Sequence, residues 1–121
     1  MNNYQKLKVW QDSVDLVIQV YSITKTFPKS EQYGLVNQIT RSAVSIPSNI
    51  AEGAGRNSPK EFNQFLGIAS GSLSELNTQL IIANRLTFID ENLLLGTQIK
   101  LSSIHKMIYK LQSSIQNSLK K

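Results

Sequence analysis

The chain has 121 residues, a mass of 13.6 kDa and a formal net charge of +5, from 13 basic and 8 acidic residues. This length fits one domain, 1–121, with one core, and 40% hydrophobic with 17% charged residues argues against disorder. The absence of cysteine and the presence of a single histidine exclude disulfides, thiolate chemistry and metal clusters built from Cys or His ligands.

The amino-terminal segment 1–6 is polar and is not followed by an apolar stretch typical of a signal peptide. The longest purely apolar runs, 80–83 and 93–95, are far shorter than the roughly 20 residues of a spanning helix. We therefore expect a cytoplasmic protein that does not enter a membrane.

Apolar residues spaced three and four apart predict two helices in the first half of the chain. The first runs over about 7–26. The second is expected to begin at Ser30 as the N-cap and to end near Gly53. Pro47 lies inside it and predicts either a kink or two helices split near residue 46.

Two further helices follow in the second half. Ser58, Pro59 and Glu61 form a capping-box pattern that begins a third helix of about 25 residues. Its small residues, Gly67 and Gly71 among them, predict the close approach of a helix from this or another chain. Asp90 is the expected N-cap of a fourth helix with a seam close to a heptad. The predicted fold is all-α, an antiparallel up-down-up-down four-helix bundle.

No motif predicts catalysis or metal binding. Di-metal bundles need two Glu-x-x-His pairs, which a chain with one histidine cannot supply. Two Ser-x-x-Lys strings, 22–25 and 103–106, lack the partner motifs that give this spacing a catalytic meaning. His105 is expected to be neutral and exposed. We therefore expect no enzyme activity, no metal and no cofactor.

The glycine pair Gly53 and Gly55 follows a predicted helix, so it reads first as a helix C-cap. A second interpretation is an anion site, in which Arg56 and the open amides of the third helix would meet a phosphate.

A polar stripe follows the second helix at intervals of three and four residues. It is either a solvated face or a polar seam at a subunit interface. In the second case Arg41 would need a carboxylate partner, because an unpaired buried charge is very costly. Glu75 or Glu52 could supply it, within the chain or from another copy. The residues of the stripe are Gln38, Arg41, Ser45, Asn49 and Glu52.

The last thirty residues contain five lysines and no acidic residue. Lys106 and Lys110 share a helix face, whereas Lys100 lies about 120° around the helix from Lys106. These charges either complement the helix dipole or form a basic patch for a nucleic-acid backbone. Because Tyr109 is the only aromatic residue there, recognition of folded RNA or duplex by shape and phosphate is favoured over base stacking.

Several strings of this sequence resemble a known family. They are Leu7–Gln11, Tyr33–Ile39, Arg41–Gly53 and Ala69–Leu76, the third containing Ser-Ile-Pro-Ser-Asn-Ile-Ala-Glu-Gly. The resemblance covers roughly 5–116. It is to the bacterial four-helix-bundle family named after proteins encoded in intervening sequences of 23S rRNA genes. The accessory variability protein of diversity-generating retroelements is a more distant relative.

The resemblance implies a four-helix bundle that assembles as a ring, typically a homopentamer, without enzyme activity. By position, the characteristic polar residues of the family are Arg41, Asn49, Glu52 and Glu75, with a role at helix and subunit contacts. The retroelement relative binds a reverse transcriptase and nucleic acid through a basic surface, but this chain is less strongly basic.

Two functional interpretations remain. The first is a ring-forming scaffold that binds structured RNA or a nucleoprotein through Arg56, Lys100, Lys106 and Lys110. The second is a protein–protein interaction module with no nucleic-acid binding, in which the basic residues serve solubility only.

Overall fold

A computed structural model describes residues 3–120, and within them it contains helices and no strand. The helices are α1 (Lys8–Thr24), α2 (Leu35–Ala54), α3 (Pro59–Arg85) and α4 (Glu91–Leu119). Short 3-10 turns at Tyr4–Lys6 and Lys29–Glu31 precede α1 and α2. The all-α prediction is confirmed.

The helices pack in sequence order around one core, α1 on α2, α2 on α3, α3 on α4, and α4 back on α1. The contact between α2 and α3 is the most extensive, and the contact between α1 and α4 is the thinnest. The connections between α2 and α3 and between α3 and α4 are short, which makes successive helices antiparallel. The predicted up-down-up-down bundle is therefore confirmed.

The core is aliphatic and takes side chains from all four helices. Its members recur at the three- and four-residue spacing of an amphipathic helix. The largest fully buried apolar side chains are Leu16, Val20, Ile39, Ile46, Ile50, Leu66, Leu76, Leu80 and Ile108.

The start of α2 corrects the sequence prediction. Ser30 does not cap this helix, because it lies inside the 3-10 turn Lys29–Glu31, in which the Glu31 amide donates to Pro28 O over 2.9 Å. The helix begins at Leu35 instead. Its N-cap is Gly34, which has no side chain to accept a hydrogen bond from the first amides of the helix.

Pro47 is buried within α2, and the helix continues through it to Ala54 as one element. The alternative of two helices split near residue 46 is therefore wrong.

The starts of α3 and α4 confirm the predicted caps. The Ser58 hydroxyl accepts a hydrogen bond from the Glu61 amide at 3.2 Å, and Pro59 occupies the first helical position. The Asp90 carboxylate accepts from the Leu93 amide at 2.8 Å. Each side chain satisfies one of the amide donors that a helix start leaves open.

Helices α2 and α3 approach each other closely at Gly53. A Cβ atom on Gly53 would lie 2.6 Å from the Phe65 Cβ and 3.3 Å from the Phe62 carbonyl oxygen. By contrast, a Cβ on Gly67 would meet only the Gln112 side chain, at 3.8 Å, and one on Gly71 would meet nothing within 4 Å. The close approach expected at Gly71 is thus not made within the described chain.

Candidate nucleic-acid and subunit interfaces

One end of the bundle collects most of the uncompensated positive charge. The start of α1, the loop between α2 and α3, and the last turns of α4 meet there because successive helices are antiparallel. A cleft of about 470 Å³ at this end is lined by Arg56 and Ser58 on one side and by Ser114 and Ser118 on the other. We call this region the basic end. Its cations are Lys6, Lys8, Arg56, Lys60, Lys110 and Lys120, and its acids are Asp12, Glu52 and Glu61.

Arg56 is held in place on both sides. Its guanidinium donates to the Glu52 carboxylate at 2.7 Å, and its central carbon lies 5.1 Å from the centre of the Phe65 ring. The ion pair offsets part of the charge of Arg56, while its side chain remains 43% exposed. Arg56 therefore lies beside the start of α3, as the anion-site interpretation requires, but it already has a carboxylate partner.

Lys106 and Lys110 are exposed one turn apart on α4, as their spacing predicted, with Tyr109 69% exposed between them. Lys100 lies on another side of the helix, against α1. Its ammonium donates to Gln19 Oε1 at 2.6 Å. The structure thus places Lys110 and Arg56 at the basic end and Lys106 one turn further along α4 towards its middle, and it separates Lys100 from all three.

Lys100 also lines a cleft of about 210 Å³ with two acidic residues of α1, Asp12 and Asp15. These carboxylates lower the positive potential around its ammonium, because opposite charges at short range cancel each other's field. Lys100 is therefore the least suited of the four predicted cations to attract a phosphate.

The polar stripe of α2 borders a groove of about 390 Å³ between α2 and α3. At its floor the Ser45 and Ser72 hydroxyls lie 2.8 Å apart, and Asn49 Nδ2 donates to the carbonyl and hydroxyl oxygens of Ser45 at 2.7 and 2.9 Å. The Ser45–Ser72 contact joins the two helices across the groove, whereas the bonds of Asn49 stay within α2 and hold Ser45 in place. The residues that line it are Asn37, Gln38, Arg41, Ser42, Ser45, Ser72, Glu75 and Gln79.

Arg41 and Glu75 are both exposed and line this groove from opposite helices. Within residues 3–120, neither Glu75 nor Glu52 lies within ion-pair distance of Arg41, and Glu52 binds Arg56 instead. The pairing of Arg41 inside the chain is therefore not made. Its pairing with another copy stays a prediction.

Sequence reasoning named Glu75 of α3 but missed the two other α3 residues that line the groove. Ser72, Glu75 and Gln79 recur at three and four residues, so they share a face of α3 in the same way as the stripe of α2. Gln79 Oε1 is buried there and has no hydrogen-bond partner among the described atoms. The spacing was the available signal, but nothing local indicates which face of α3 would meet α2.

His105 is exposed, as expected, and its Nε2 lies 2.7 Å from the Ser70 hydroxyl, which joins α4 to α3. In the described hydrogen-bond network no carboxylate binds the imidazole, so the pair lacks the orienting third group of a nucleophilic triad.

Residues 3–120 hold no group of three or more Asp, Glu or His side chains placed to bind a metal ion. None of the helices in the same range combines the length and the apolar character that crossing a bilayer requires.

Comparisons with known proteins agree with this architecture. The family model for "23S rRNA-intervening sequence protein" matches residues 5–110. A crystal structure of a protein of unknown function, from the S23 ribosomal protein family of Bacteroides thetaiotaomicron, superimposes with a TM-score of 0.80. The match has 22% sequence identity and covers 86% of this chain and 97% of that one. This likeness supports the fold alone. No curated protein matches the sequence.

Proposed function

The chain belongs to the 23S rRNA-intervening sequence protein family, and from this premise we propose that it is a non-enzymatic scaffold. It assembles with itself as a ring, in the form of a homopentamer, and binds structured RNA or a nucleoprotein through its basic end. The observation that carries the proposal is the clustering of lysine and arginine side chains from α1, the loop after α2, α3 and α4 at one end of the bundle.

Such a surface suits a phosphate backbone better than an exposed base. Lys60 and Lys110 are exposed on different helices at the basic end, and Arg56 lies in the loop that precedes α3. Cations on several elements can follow the phosphates of a folded RNA, and each neutralised phosphate releases counterions. The only aromatic side chain prominent on this part of α4 is Tyr109, which offers little for base stacking.

Self-association would strengthen this binding. One basic end offers few phosphate contacts, but several ends held in one assembly raise the effective concentration of the later contacts. The surface also contains apolar side chains without a partner in the described chain. The most exposed aliphatic ones are Ile18, Ile68, Ile99, Leu86 and Leu119.

The test compares two double variants with the same change of charge. Lys60→Glu with Lys110→Glu alters the basic end, and Lys25→Glu with Lys29→Glu alters the opposite end. Binding of a labelled RNA hairpin with a long duplex stem is followed by fluorescence anisotropy between about 50 and 200 mM salt.

We expect the affinity of the wild-type protein to fall steeply as salt rises. The Lys60/Lys110 variant should bind at least tenfold more weakly and with a shallower salt dependence, because each lost phosphate contact lowers the slope by about 0.9 on duplex DNA. The Lys25/Lys29 variant should bind close to wild type. Equal losses in the two variants would show a general charge effect and contradict a site at the basic end.

A wild-type protein that does not bind the hairpin at micromolar concentration would contradict the RNA proposal. The interpretation as a protein–protein interaction module would then predict protein partners that survive nuclease treatment.

A further inference from the structure

Two exposed stripes on α3 and α4 have no partner inside the described chain. The α3 stripe consists of Glu75, Ile82 and Leu86, and its two apolar residues are 44% and 50% exposed. The α4 stripe consists of Leu95, Ile99 and Lys106, and its apolar residues are 49% and 71% exposed. On each helix the three positions fall on one side, because steps of four and seven residues return close to the same direction.

The two stripes match each other when the helices run in opposite directions. Along α3 the order is an acid, then an aliphatic residue seven positions later, then another four positions later. Along α4, read backwards from Lys106, the order is a base, an aliphatic residue seven positions earlier, and another four positions earlier. An antiparallel pair would therefore bring Glu75 to Lys106, Ile82 to Ile99 and Leu86 to Leu95.

We propose that the α4 stripe of one copy docks on the α3 stripe of a second copy in this antiparallel register. The inference rests on the self-association in the proposed function and names the surfaces that carry it. The occupant is a second copy because both halves of the match, in charge and in apolar spacing, are present in this one sequence.

The empty space beside Gly71 fits the same register. Gly71 lies one turn before Glu75, and an added Cβ there would meet nothing within 4 Å. Its counterpart one turn after Lys106 is the region of Tyr109 and Lys110, and the Tyr109 ring is 69% exposed. The glycine leaves room for this ring between the helices, where a larger side chain on α3 would hold them apart.

The contact uses different surfaces on its two members, so it is heterologous and can close into a ring. Within the chain α3 and α4 are antiparallel. A rotation about an axis parallel to the bundle keeps every α3 pointing the same way, and therefore sets α4 of one copy antiparallel to α3 of the next. The same rotation places all basic ends on one side of the ring, where they form a single surface.

In this arrangement Lys106 binds Glu75 of a neighbouring copy, and RNA contacts fall to cations closer to the basic end, such as Lys60 and Lys110. Because Lys110 lies one turn beyond Lys106, the Lys60/Lys110 variant is used in the RNA test only with its solution mass checked against that of the wild-type protein by light scattering.

The test uses one variant for each stripe. Ile82→Asp disables the α3 stripe and leaves the α4 stripe intact, whereas Ile99→Asp does the reverse. Ile18→Asp on α1, where the side chain is 65% exposed, is the matched control. Solution mass is measured by light scattering at equal protein concentration, and far-UV circular dichroism confirms that each variant is folded.

We expect the control to keep the mass of the wild-type assembly and each stripe variant to fall to a single chain of 13.6 kDa. An equimolar mixture of the two stripe variants should have twice that mass and no more, because one intact α3 stripe and one intact α4 stripe form one contact. Reversal of the ion pair gives a second test. Glu75→Lys or Lys106→Glu alone should weaken association, and the two together should restore it.

A mixture that remains monomeric would overturn the pairing of these stripes. Stripe variants that keep the wild-type mass would also overturn it and leave self-association through another surface. A monomeric wild-type protein would remove self-association altogether, while RNA binding by Lys60 and Lys110 would still be decided by the separate anisotropy experiment.

Discussion

Replacement of Gly53 by alanine gives the sharpest test of how closely α2 and α3 are packed. The added Cβ would lie 2.6 Å from the Phe65 Cβ, about 1 Å inside the ordinary carbon–carbon contact of about 3.5–4.0 Å. The Phe65 Cβ is attached to the backbone, and the Phe62 carbonyl oxygen lies 3.3 Å away on the same helix. No side-chain rotation can relieve both contacts, so the helices must move apart.

The expected net loss of stability is about 2 kcal/mol. Overpacking a tight site costs typically about 1–3 kcal/mol, and the backbone neighbours place Gly53→Ala at the upper end of this range. The higher helix propensity of alanine offsets about 1 kcal/mol of this loss of stability. For a domain of this size the melting temperature should fall by roughly 6–10 °C.

The assay is urea unfolding followed by circular dichroism, at one protein concentration so that self-association affects every variant equally. Gly96→Ala is the matched control, because this helical glycine is exposed and its added Cβ would meet nothing within 4 Å. The Gly96→Ala variant should be more stable than the wild-type protein by about 0.5–1 kcal/mol. A Gly53→Ala protein as stable as wild type, or more stable, would refute the close approach of α2 and α3.

Three further substitutions test single features of the bundle. Thr87→Gly should raise the free energy of unfolding by about 1 kcal/mol in thermal unfolding, because Thr87 has a φ of 67° that β-branched residues rarely adopt. An unchanged stability would show that threonine adopts this φ between α3 and α4 without cost. Asp90→Ala should lower the free energy of unfolding by about 1 kcal/mol, because the hydrogen bond that caps the Leu93 amide is lost. Asp90→Asn should keep most of the wild-type stability, because asparagine also caps helices well. Leu76→Ala should cost about 2–5 kcal/mol in urea unfolding, since the side chain is fully buried in the core; a loss below about 1 kcal/mol would contradict its central position.

The helix starts show which parts of the fold a sequence can predict. Ser58 is followed by Pro59 and Glu61, and the cap that these residues indicate is present because its hydrogen bond is local. Ser30 looks similar but has Tyr33 rather than an acid three positions later, and it lies in a 3-10 turn. The real start at Leu35 follows Gly34, which has no side chain to cap the helix and is therefore a weaker local signal than Ser30.

In the candidate site, too, the sequence predicts what depends on local spacing and does not predict contacts between distant segments. Helical period alone predicted that Lys106 and Lys110 share a face and that Lys100 does not. The partner of Lys100 is Gln19, 81 positions away, and only the packing of α1 on α4 determines that contact. Sequence reasoning offered Glu52 as a partner for Arg41, but Glu52 binds Arg56, four residues further along the chain in the loop after α2.

The thin contact between α1 and α4 has a consequence for local unfolding. The connection from α1 to α2 is the longest in the bundle, while α2 and α3 are joined by a tight loop and share the largest contact. Contacts between neighbours in sequence close at low entropic cost, so α2 and α3 are suited to order first during folding. In native-state hydrogen exchange, the amides of α1 should therefore open in a sub-global step of lower free energy, before those of α2 and α3 exchange by global unfolding.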